Sequence, residues 1–264
     1  MEELRKRVKE LLEKGEIDGF LGYRGSFPYL FTDPADLKDL EVPSERYPLP
    51  KILTSLFRRR PEGRFGVLVR GCEERGIIEL VKNAKLEQDK VMMIGVACSK
   101  EQASNCRCSK PYPDVPVLYG EKVEGVQARD DIERIEAMEE GERLSFWLYE
   151  FSKCIKCYGC RNICPQCFCD TCTLEEGDLV KRGVLPPEVP AFHLVRAFHM
   201  AGRCIDCGLC EEACPANIPL RTLYRKVREG VKGLLGYEPG ASWEEKEPLG
   251  YLGDGRYEIP ERLV

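Results

Sequence analysis

Two copies of one cysteine pattern constrain this chain more strongly than any other feature of its 264 residues. The copies are Cys154, Cys157, Cys160, Cys164, Pro165 and Cys204, Cys207, Cys210, Cys214, Pro215. Both read C-x2-C-x2-C-x3-C-P, the spacing with which a loop presents thiolates around a cube of iron and sulfide. The main alternative is zinc, but tetrahedral zinc sites use two C-x2-C pairs and leave the third and fourth cysteines unexplained. The pattern therefore predicts two 4Fe-4S clusters.

The fourth cysteine of each run is expected to bind the cluster of the other run, because it begins the next helix and points back. Proline after it suits the first turn of that helix, where no backbone N–H is needed. Cluster 1 is assigned to Cys154, Cys157, Cys160 and Cys214, and cluster 2 to Cys204, Cys207, Cys210 and Cys164. Such crossed ligation places the clusters close together, which favours electron transfer over substrate binding at an open iron.

A third site is predicted in the N-terminal half from Cys72, Cys98, Cys106 and Cys108. Cys72 follows the strand-like run FGVLVRG, and Cys98 ends the run VMMIGVAC. The carboxyl ends of neighbouring parallel strands share one rim of a sheet, where ligands collect. The NCRC segment adds two thiols from the adjoining loop. These four cysteines predict a third 4Fe-4S cluster, with the alternative that Cys72 and Cys98 are small buried residues.

Three further cysteines, Cys167, Cys169 and Cys172, follow directly on the first run. They are possible further ligands, completed either by a thiol from the N-terminal half or by Asp170. Fifteen cysteines fill three all-cysteine clusters with three left over.

Cysteine usage also bears on the compartment. The count is odd and most members have C-x2-C spacing, which opposes a secreted disulfide scaffold. The start, MEELRKRVKELLEKG, predicts a charged amphipathic helix and not a signal peptide, and VMMIGVAC is too short to span a bilayer. We therefore expect a cytoplasmic protein without membrane insertion.

Charge excludes other classes of function. The net charge is −5, and no basic stretch suggests nucleic acid as a partner. Charged residues reach 32% while Asn and Gln are scarce, a composition typical of thermophiles.

Periodicity predicts an α/β domain over residues 1–128 with a small parallel or mixed sheet. Its strands are GFLGYR (19–24), YLFTDP (29–34), FGVLVRG (65–71) and VMMIGVAC (91–98), with irregular structure over 99–130. Residues 129–235 are expected to form an α-helical dicluster 4Fe-4S domain, and residues 236–264 an ordered arm or partner contact.

Two sets of side chains near the motifs are predicted to be packing residues. In the helix over 131–153, Leu144, Trp147, Leu148 and Phe151 form a core stripe. His193 and His199 precede the second run on a helix, and the alternative for either is a hydrogen bond to a cluster sulfur.

The stretches EKGEIDGFLGY, FTDPADL, YPLPKIL and FGVLVRGCEERGIIELVKNAKLEQDKVMMIGVAC occur in this order in the N-terminal half. Together they resemble the N-terminal domain of the deazaflavin-dependent hydrogenase and formate dehydrogenase β-subunit family, whose motif cysteine Cys72 matches. FWLYEFSKCIKCYGCR and FHLVRAFHMAGRCIDCGLCEEACPANIPL resemble the dicluster ferredoxin subunits of heterodisulfide-reductase-like and formate dehydrogenase complexes.

The resemblance implies an electron-transfer subunit of an anaerobic oxidoreductase, without catalysis of its own, that works with a catalytic subunit and with a flavin or ferredoxin partner. Members of the β-subunit family carry FAD and reduce a deazaflavin, so an FAD-containing enzyme subunit is the alternative. Here the clusters follow the domain and no G-x-G-x-x-G fingerprint is present. A thiol-based redox sensor is a third hypothesis, which no basic patch supports.

Overall fold

The computed structural model of the chain describes residues 1–175, 177, 180, 181, 183–185 and 187–248. The chain divides into two compact units, Met1–Gln127 and Ala128–Val264. No helix in these described ranges is long and apolar enough to cross a bilayer.

The first unit is built around a mixed β-sheet. Its strands are β1 (Gly19–Arg24), β2 (Phe27–Phe31), β3 (Leu40–Glu41), β4 (Phe65–Val69), β5 (Val91–Val96) and β6 (Val117–Tyr119). The order is β2-β1-β4-β5-β6, and β3 pairs with β1. β1 is antiparallel to β2 and β3, whereas the β1–β4, β4–β5 and β5–β6 pairs are parallel. The predicted α/β fold with a small mixed sheet is confirmed for this unit.

Helices connect and cover the strands of the first unit. They are α1 (Glu2–Glu13), α2 (Leu49–Arg59), α3 (Gly71–Lys82) and α4 (Lys100–Asn105). α1 buries Leu4, Val8 and Leu11, which recur at helical spacing. Every residue of β4 is buried, as expected for a central parallel strand, and β4, α3 and β5 form the predicted βαβ unit.

The prediction of irregular structure over residues 99–130 is wrong in two places, at α4 and β6. Ser99 caps α4, since its side chain accepts the Gln102 backbone N–H while the Gln102 side chain accepts the Ser99 N–H. This reciprocal cap is a sequence-readable signal for a helix start. β6 is too short to show a periodicity and forms by pairing with β5 at the edge of the sheet.

The second unit is mainly helical over its described residues. The helices are α5 (Asp130–Glu136), α6 (Glu140–Ser152), α7 (Gly159–Ile163), α8 (Ala191–Met200), α9 (Leu209–Glu212) and α10 (Leu220–Leu235). The single helix predicted over 131–153 is divided into α5 and α6. The division falls where Glu139 and Glu142 form a capping box that starts a new helix.

The stripe predicted on α6 is only partly buried. Phe151 is 2% exposed and Trp147 packs against the same core, and Leu148 is half-buried. Leu144 is 59% exposed, so the prediction is wrong at that position. The reason is that only the C-terminal half of α6 reaches the core.

α10 closes this unit against α5 and the beginning of the arm. Leu220, Tyr224 and Val231 are buried, and Thr222 Oγ1 donates to Asp131 Oδ2 at 2.6 Å. In the arm, Tyr237 is buried and Glu247 accepts from Arg203 Nε at 2.9 Å. The remainder of the predicted arm, 249–264, lies outside the described residues.

Candidate iron–sulfur centres

The two cysteine loops of the second unit have the same backbone conformation at equivalent positions. The second residue after the first cysteine has a positive φ in both, 49° at Lys156 and 55° at Asp206. The residue after the second cysteine also does, 56° at Tyr158 and 78° at Gly208. A short helix, α7 or α9, then begins. Because positive φ is costly for most residues, a pair of loops that share it have a common geometric requirement.

The cysteines predicted to hold cluster 1 come together, including the one from the second run. Burial raises the pKa of the Cys154 thiol, and the nearby Cys160, Cys157 and Cys214 raise it further. Cys214 is also among the neighbours of Cys160. The loop supplies N–H donors, from Lys156 to Cys154 Sγ and from Gly159 to Cys157 Sγ, both at 3.4 Å. Such bonds favour a thiolate over a thiol.

The cysteines predicted to hold cluster 2 line one cavity. Cys164, Cys204, Cys207 and Cys210 all contribute to its wall, together with Arg196, Met200 and Tyr224. Burial raises the pKa of Cys210, and Cys207 and Cys204 add to that shift. The backbone N–H of Asp206 bonds to Cys204, as that of Lys156 does to Cys154. The fourth cysteine of the first run is thus beside the three of the second.

The donor sets fit iron–sulfur clusters chemically, since soft thiolates select such centres. Within the part of the chain that the structure describes, no three Cys, His, Asp or Glu side chains are arranged to hold a single metal ion. Thiolates that bind different irons at the corners of a cube are further apart than the ligands of one ion.

The third predicted group also comes together, in the first unit. Cys72 is the second residue of α3, Cys98 follows β5, and Cys106 and Cys108 follow α4. Gly71 allows the segment after Cys108 to lie against the start of α3, because a Cβ at this position would be 2.5 Å from the carbonyl oxygens of Lys110 and Tyr112. The rim of the parallel strands therefore carries the cysteines that the topology predicted.

The pKa values of the third group are shifted by burial, by the neighbouring thiols and by nearby cations. Burial raises the pKa of Cys98 to about 12, and Cys72 and Cys106 contribute to the shift. A hydrogen bond from Cys106 lowers the pKa of Cys108 to about 7. That contact holds two of the four sulfurs closer than two corners of a cluster, so one of these side chains must rotate for all four to ligate. The guanidinium of Arg75 faces Cys72 and Cys108 and offsets their negative charge.

The three surplus cysteines are not gathered into one site. Cys167 contacts Cys164, and a hydrogen bond between their side chains raises the pKa of Cys167. Cys169 is exposed. Cys172 packs beside the small core of Leu174 and Phe192, and the Arg161 side chain bonds to it.

The buried polar side chains between the two loops were not predicted from the sequence. Arg196, on α8, is 3% exposed and donates from Nη1 to Cys167 Sγ at 2.9 Å and from Nη2 to the Cys160 carbonyl at 2.8 Å. Its guanidinium is 5.3 Å from the centre of the Tyr224 ring. An arginine at an interior position of the apolar sequence AFHLVRAFHM was the signal available.

The packing prediction is confirmed for one histidine and wrong for the other. His193 is 1% exposed and stacks on Phe151 with ring centres 4.6 Å apart. Burial, and then the charge of Arg196, lowers the pKa of His193 to about 4. His199 is exposed, because it lies on another face of α8, six residues after His193.

Comparison with known proteins supports an iron–sulfur assignment. A model of the 4Fe-4S binding domain matches residues 198–219, which include the second cysteine run. The F420-dependent formate dehydrogenase subunit beta of Methanocaldococcus jannaschii is 38% identical over 122 residues, 46% of this chain and 32% of that protein. The F420-dependent formate dehydrogenase 1 subunit beta of Methanococcus maripaludis is 45% identical over 104 residues, 39% of this chain and 27% of that protein.

These similarities confirm the resemblance to the formate dehydrogenase β subunits and to 4Fe-4S proteins. The chain spans about a third or less of the length of these two relatives. The cysteine sites and the comparisons together support an iron–sulfur protein with a 4Fe-4S binding domain.

Proposed function

We propose that this chain is an iron–sulfur electron-transfer subunit of a multi-subunit anaerobic oxidoreductase related to hydrogenases, formate dehydrogenases or heterodisulfide reductases. Its 4Fe-4S clusters supply one-electron chemistry. The polypeptide holds them near one another, surrounds them with apolar side chains and lets electrons pass between partner subunits. No general acid, base or nucleophile is required of it.

One observation carries this proposal. The fourth cysteine of each run lies with the first three of the other run, so Cys214 neighbours Cys154 and Cys164 neighbours Cys210. Exchange of ligands between runs brings two clusters close together, and proximity is what electron transfer needs. A structural zinc site does not require this exchange of ligands between runs.

The cysteines of the first unit are proposed to hold a third cluster. Cys72, Cys98, Cys106 and Cys108 converge from three elements on the rim of the sheet, beside Arg75. A positively charged neighbour favours the anionic cluster. No further centre is assigned to Cys169 and Cys172.

The partners are proposed from the relatives and from charge. A catalytic subunit and a flavin or ferredoxin partner would give and take the electrons in the cytoplasm, and the net charge of −5 gives no reason to invoke nucleic acid. The alternative is an FAD-containing β subunit that itself reacts with a deazaflavin, nicotinamide or ferredoxin. The names of the relatives, which are F420-dependent enzymes, favour keeping that alternative in the test.

Anaerobic purification with iron and flavin analysis tests the proposal. We expect about eight irons per chain if two clusters form and about twelve if the third site is also filled. After reduction with dithionite, the protein should give the EPR signals of interacting 4Fe-4S clusters. The flavin analysis should detect no bound flavin. Stoichiometric flavin would favour the enzyme alternative, and a chain that holds zinc without iron would contradict the proposal.

A further inference from the structure

Three thiols follow the first cysteine run without a counterpart after the second, and Cys167 is the nearest of them to the run. Three residues after the fourth cysteine, the first run has Cys167 where the second has Asn217, and both backbone N–H groups donate to the carbonyl of that fourth cysteine. The two positions share this turn hydrogen bond, but Asn217 has a positive φ of 50° and Cys167 does not. Cys167 has no part in the ferredoxin pattern.

Cys167 is positioned as a hydrogen-bonding neighbour of a ligand. Its side chain bonds to that of Cys164, the proposed fourth ligand of cluster 2. In this arrangement the two sulfurs are too close to bind different corners of one cluster, and Cys167 is the one that also bonds to Arg196. The sulfur of Met200 lies 4.0 Å from Cys167 Sγ on another side and closes this small apolar space.

Arg196 connects this thiol to the other cluster. One arm of the guanidinium donates to Cys167 Sγ at 2.9 Å, and the other donates at 2.8 Å to the carbonyl of Cys160, a proposed ligand of cluster 1. The side chain is 3% exposed and its Nε atom has no hydrogen-bond partner among the described residues. Among the described residues its side-chain partners are Cys167 Sγ and the Cys160 carbonyl, and Cys164 is also near.

A second buried polar group points to the same place. The Tyr224 side chain is 2% exposed and lines the cavity of cluster 2. Its hydroxyl has no hydrogen-bond partner in the described part of the chain, although Cys160, Cys210 and Cys164 are near. A buried hydroxyl without a partner is costly, and thiolate or sulfide acceptors would satisfy it.

We propose that Arg196 is a positioning residue that raises the reduction potentials of both ferredoxin-type clusters, and that Cys167 passes its effect to cluster 2 by donating a hydrogen bond to Cys164. Each cluster gains one negative charge on reduction, so a buried cation favours the reduced state. Hydrogen bonds to ligand sulfurs act in the same direction. This inference rests on the proposed function.

The test is an EPR-monitored redox titration of the full chain, purified anaerobically, with iron content measured for each variant. Arg196→Gln is expected to lower both midpoints by at least a tenfold change in the equilibrium constant, about 59 mV for one electron. Cys167→Ala should lower only one midpoint, and Arg196→Lys and Cys167→Ser should retain most of the wild-type values. Arg129→Gln, in the same unit but paired with Glu229, is the matched control. It should shift each midpoint potential by less than about 30 mV, a threefold change in the equilibrium constant.

Several results would overturn the inference. Unchanged midpoints in an iron-replete Arg196→Gln variant would do so, as would loss of about four irons in Cys167→Ala, because Cys167 would then be a ligand. If the Arg196→Gln variant fails to bind iron, the Cys167→Ala variant provides the test. Two unchanged midpoint potentials in that variant would contradict the inference. A wild-type chain without reducible clusters would contradict the proposed function as well, whereas normal wild-type clusters with insensitive variants contradict the inference alone.

Discussion

Lys156 Nζ lies 2.7 Å from Glu188 Oε2, and this ion pair joins the first cysteine loop to the segment that precedes α8. The Lys156 side chain is 3% exposed and also donates to the Lys181 carbonyl at 2.7 Å. Lys156 stands between Cys154 and Cys157 with a positive φ. The pair therefore holds a strained residue of the loop in place.

The Lys156–Glu188 pair should stabilise the protein equally at pH 6 and pH 8. Bonding to Lys156, and then to the Lys181 N–H, lowers the pKa of Glu188 to about 2. A lowered carboxyl pKa gives stability that is present above its ordinary value of 4.5 and is lost as the pH falls towards 2. Glu188→Gln should therefore lower the unfolding temperature of the iron-loaded protein by the same amount at both pH values. A loss that changes between pH 6 and 8, measured by calorimetry, would show that Glu188 titrates higher.

The equivalent position of the second loop allows a sharper test of a buried pair. Asp206 Oδ1 accepts from Arg221 Nε at 2.7 Å, and both side chains are about nine-tenths buried. Asn tolerates the left-handed backbone at this position, so Asp206→Asn removes the charge without a change of fold. Because the buried Arg221 then loses the opposite charge beside it, although the Asp206 carbonyl still accepts from its Nη2, we expect a loss of about 3 kcal/mol in the free energy of unfolding.

The control for Asp206→Asn is an ion pair on the exposed side of α10. Lys226 pairs with Glu136 there, and Lys226 is half exposed. Lys226→Gln should cost less than about 1 kcal/mol, as exposed pairs do. Equal losses in the two variants, compared by chemical unfolding, would mean that burial does not determine the strength of these pairs.

Much of the first unit could be predicted from the sequence because its strands are short apolar runs with clear ends. FGVLV and VMMIGV became β4 and β5, and the cysteines after them reached one rim. β6 could not be predicted, since its three residues form a strand only through pairing with β5. Its existence depends on a tertiary contact and not on a local pattern.

The cysteine groups were predictable because ligand spacing is local, but the polar residues around them were not. The motif spacing predicts that Cys164 crosses to the second run, yet nothing in it indicates that Arg196 enters the space between the loops. Arg196 is nearby in space to Cys160 but 36 positions away in the sequence. Such a contact depends on where α8 packs within the second unit, which a single sequence does not encode in any short pattern.

A carboxylate holds the loop after Cys108 against α3. Glu74 is 4% exposed and accepts the backbone N–H groups of Asp114 at 2.7 Å and Val115 at 2.9 Å. Glu74→Gln leaves a single acceptor oxygen and puts an amide donor against one of these N–H groups. We expect a loss of about 2 kcal/mol in stability, measured by chemical unfolding. An unchanged stability would indicate that this loop contributes little to the unit.

The close approach at Gly71 predicts a selective loss of iron. Its added Cβ would lie 2.5 Å from two carbonyl oxygens, so Gly71→Ala must push the segment at Lys110 and Tyr112 away from α3. That segment follows Cys106 and Cys108 closely in the chain. We expect the variant to lose about four irons and to keep about eight. Gly141→Ala, where nothing lies within 4 Å of the added Cβ, is the control and should keep all of them.

Exchange of the fourth ligands between the two runs predicts which cluster each serine variant loses. Cys214 lies with Cys154, so Cys214→Ser should disturb the cluster whose other ligands come from the first run. Cys164 lies with Cys210, and Cys164→Ser should disturb the other one. Each variant is expected to retain the EPR signal of the other ferredoxin-type cluster and to lose up to about four irons. The double variants Cys154→Ser/Cys214→Ser and Cys154→Ser/Cys164→Ser distinguish the arrangements, because the first pair should spare one cluster and the second should affect both. The opposite result would assign each fourth cysteine to its own run and would remove the observation on which the electron-transfer proposal rests.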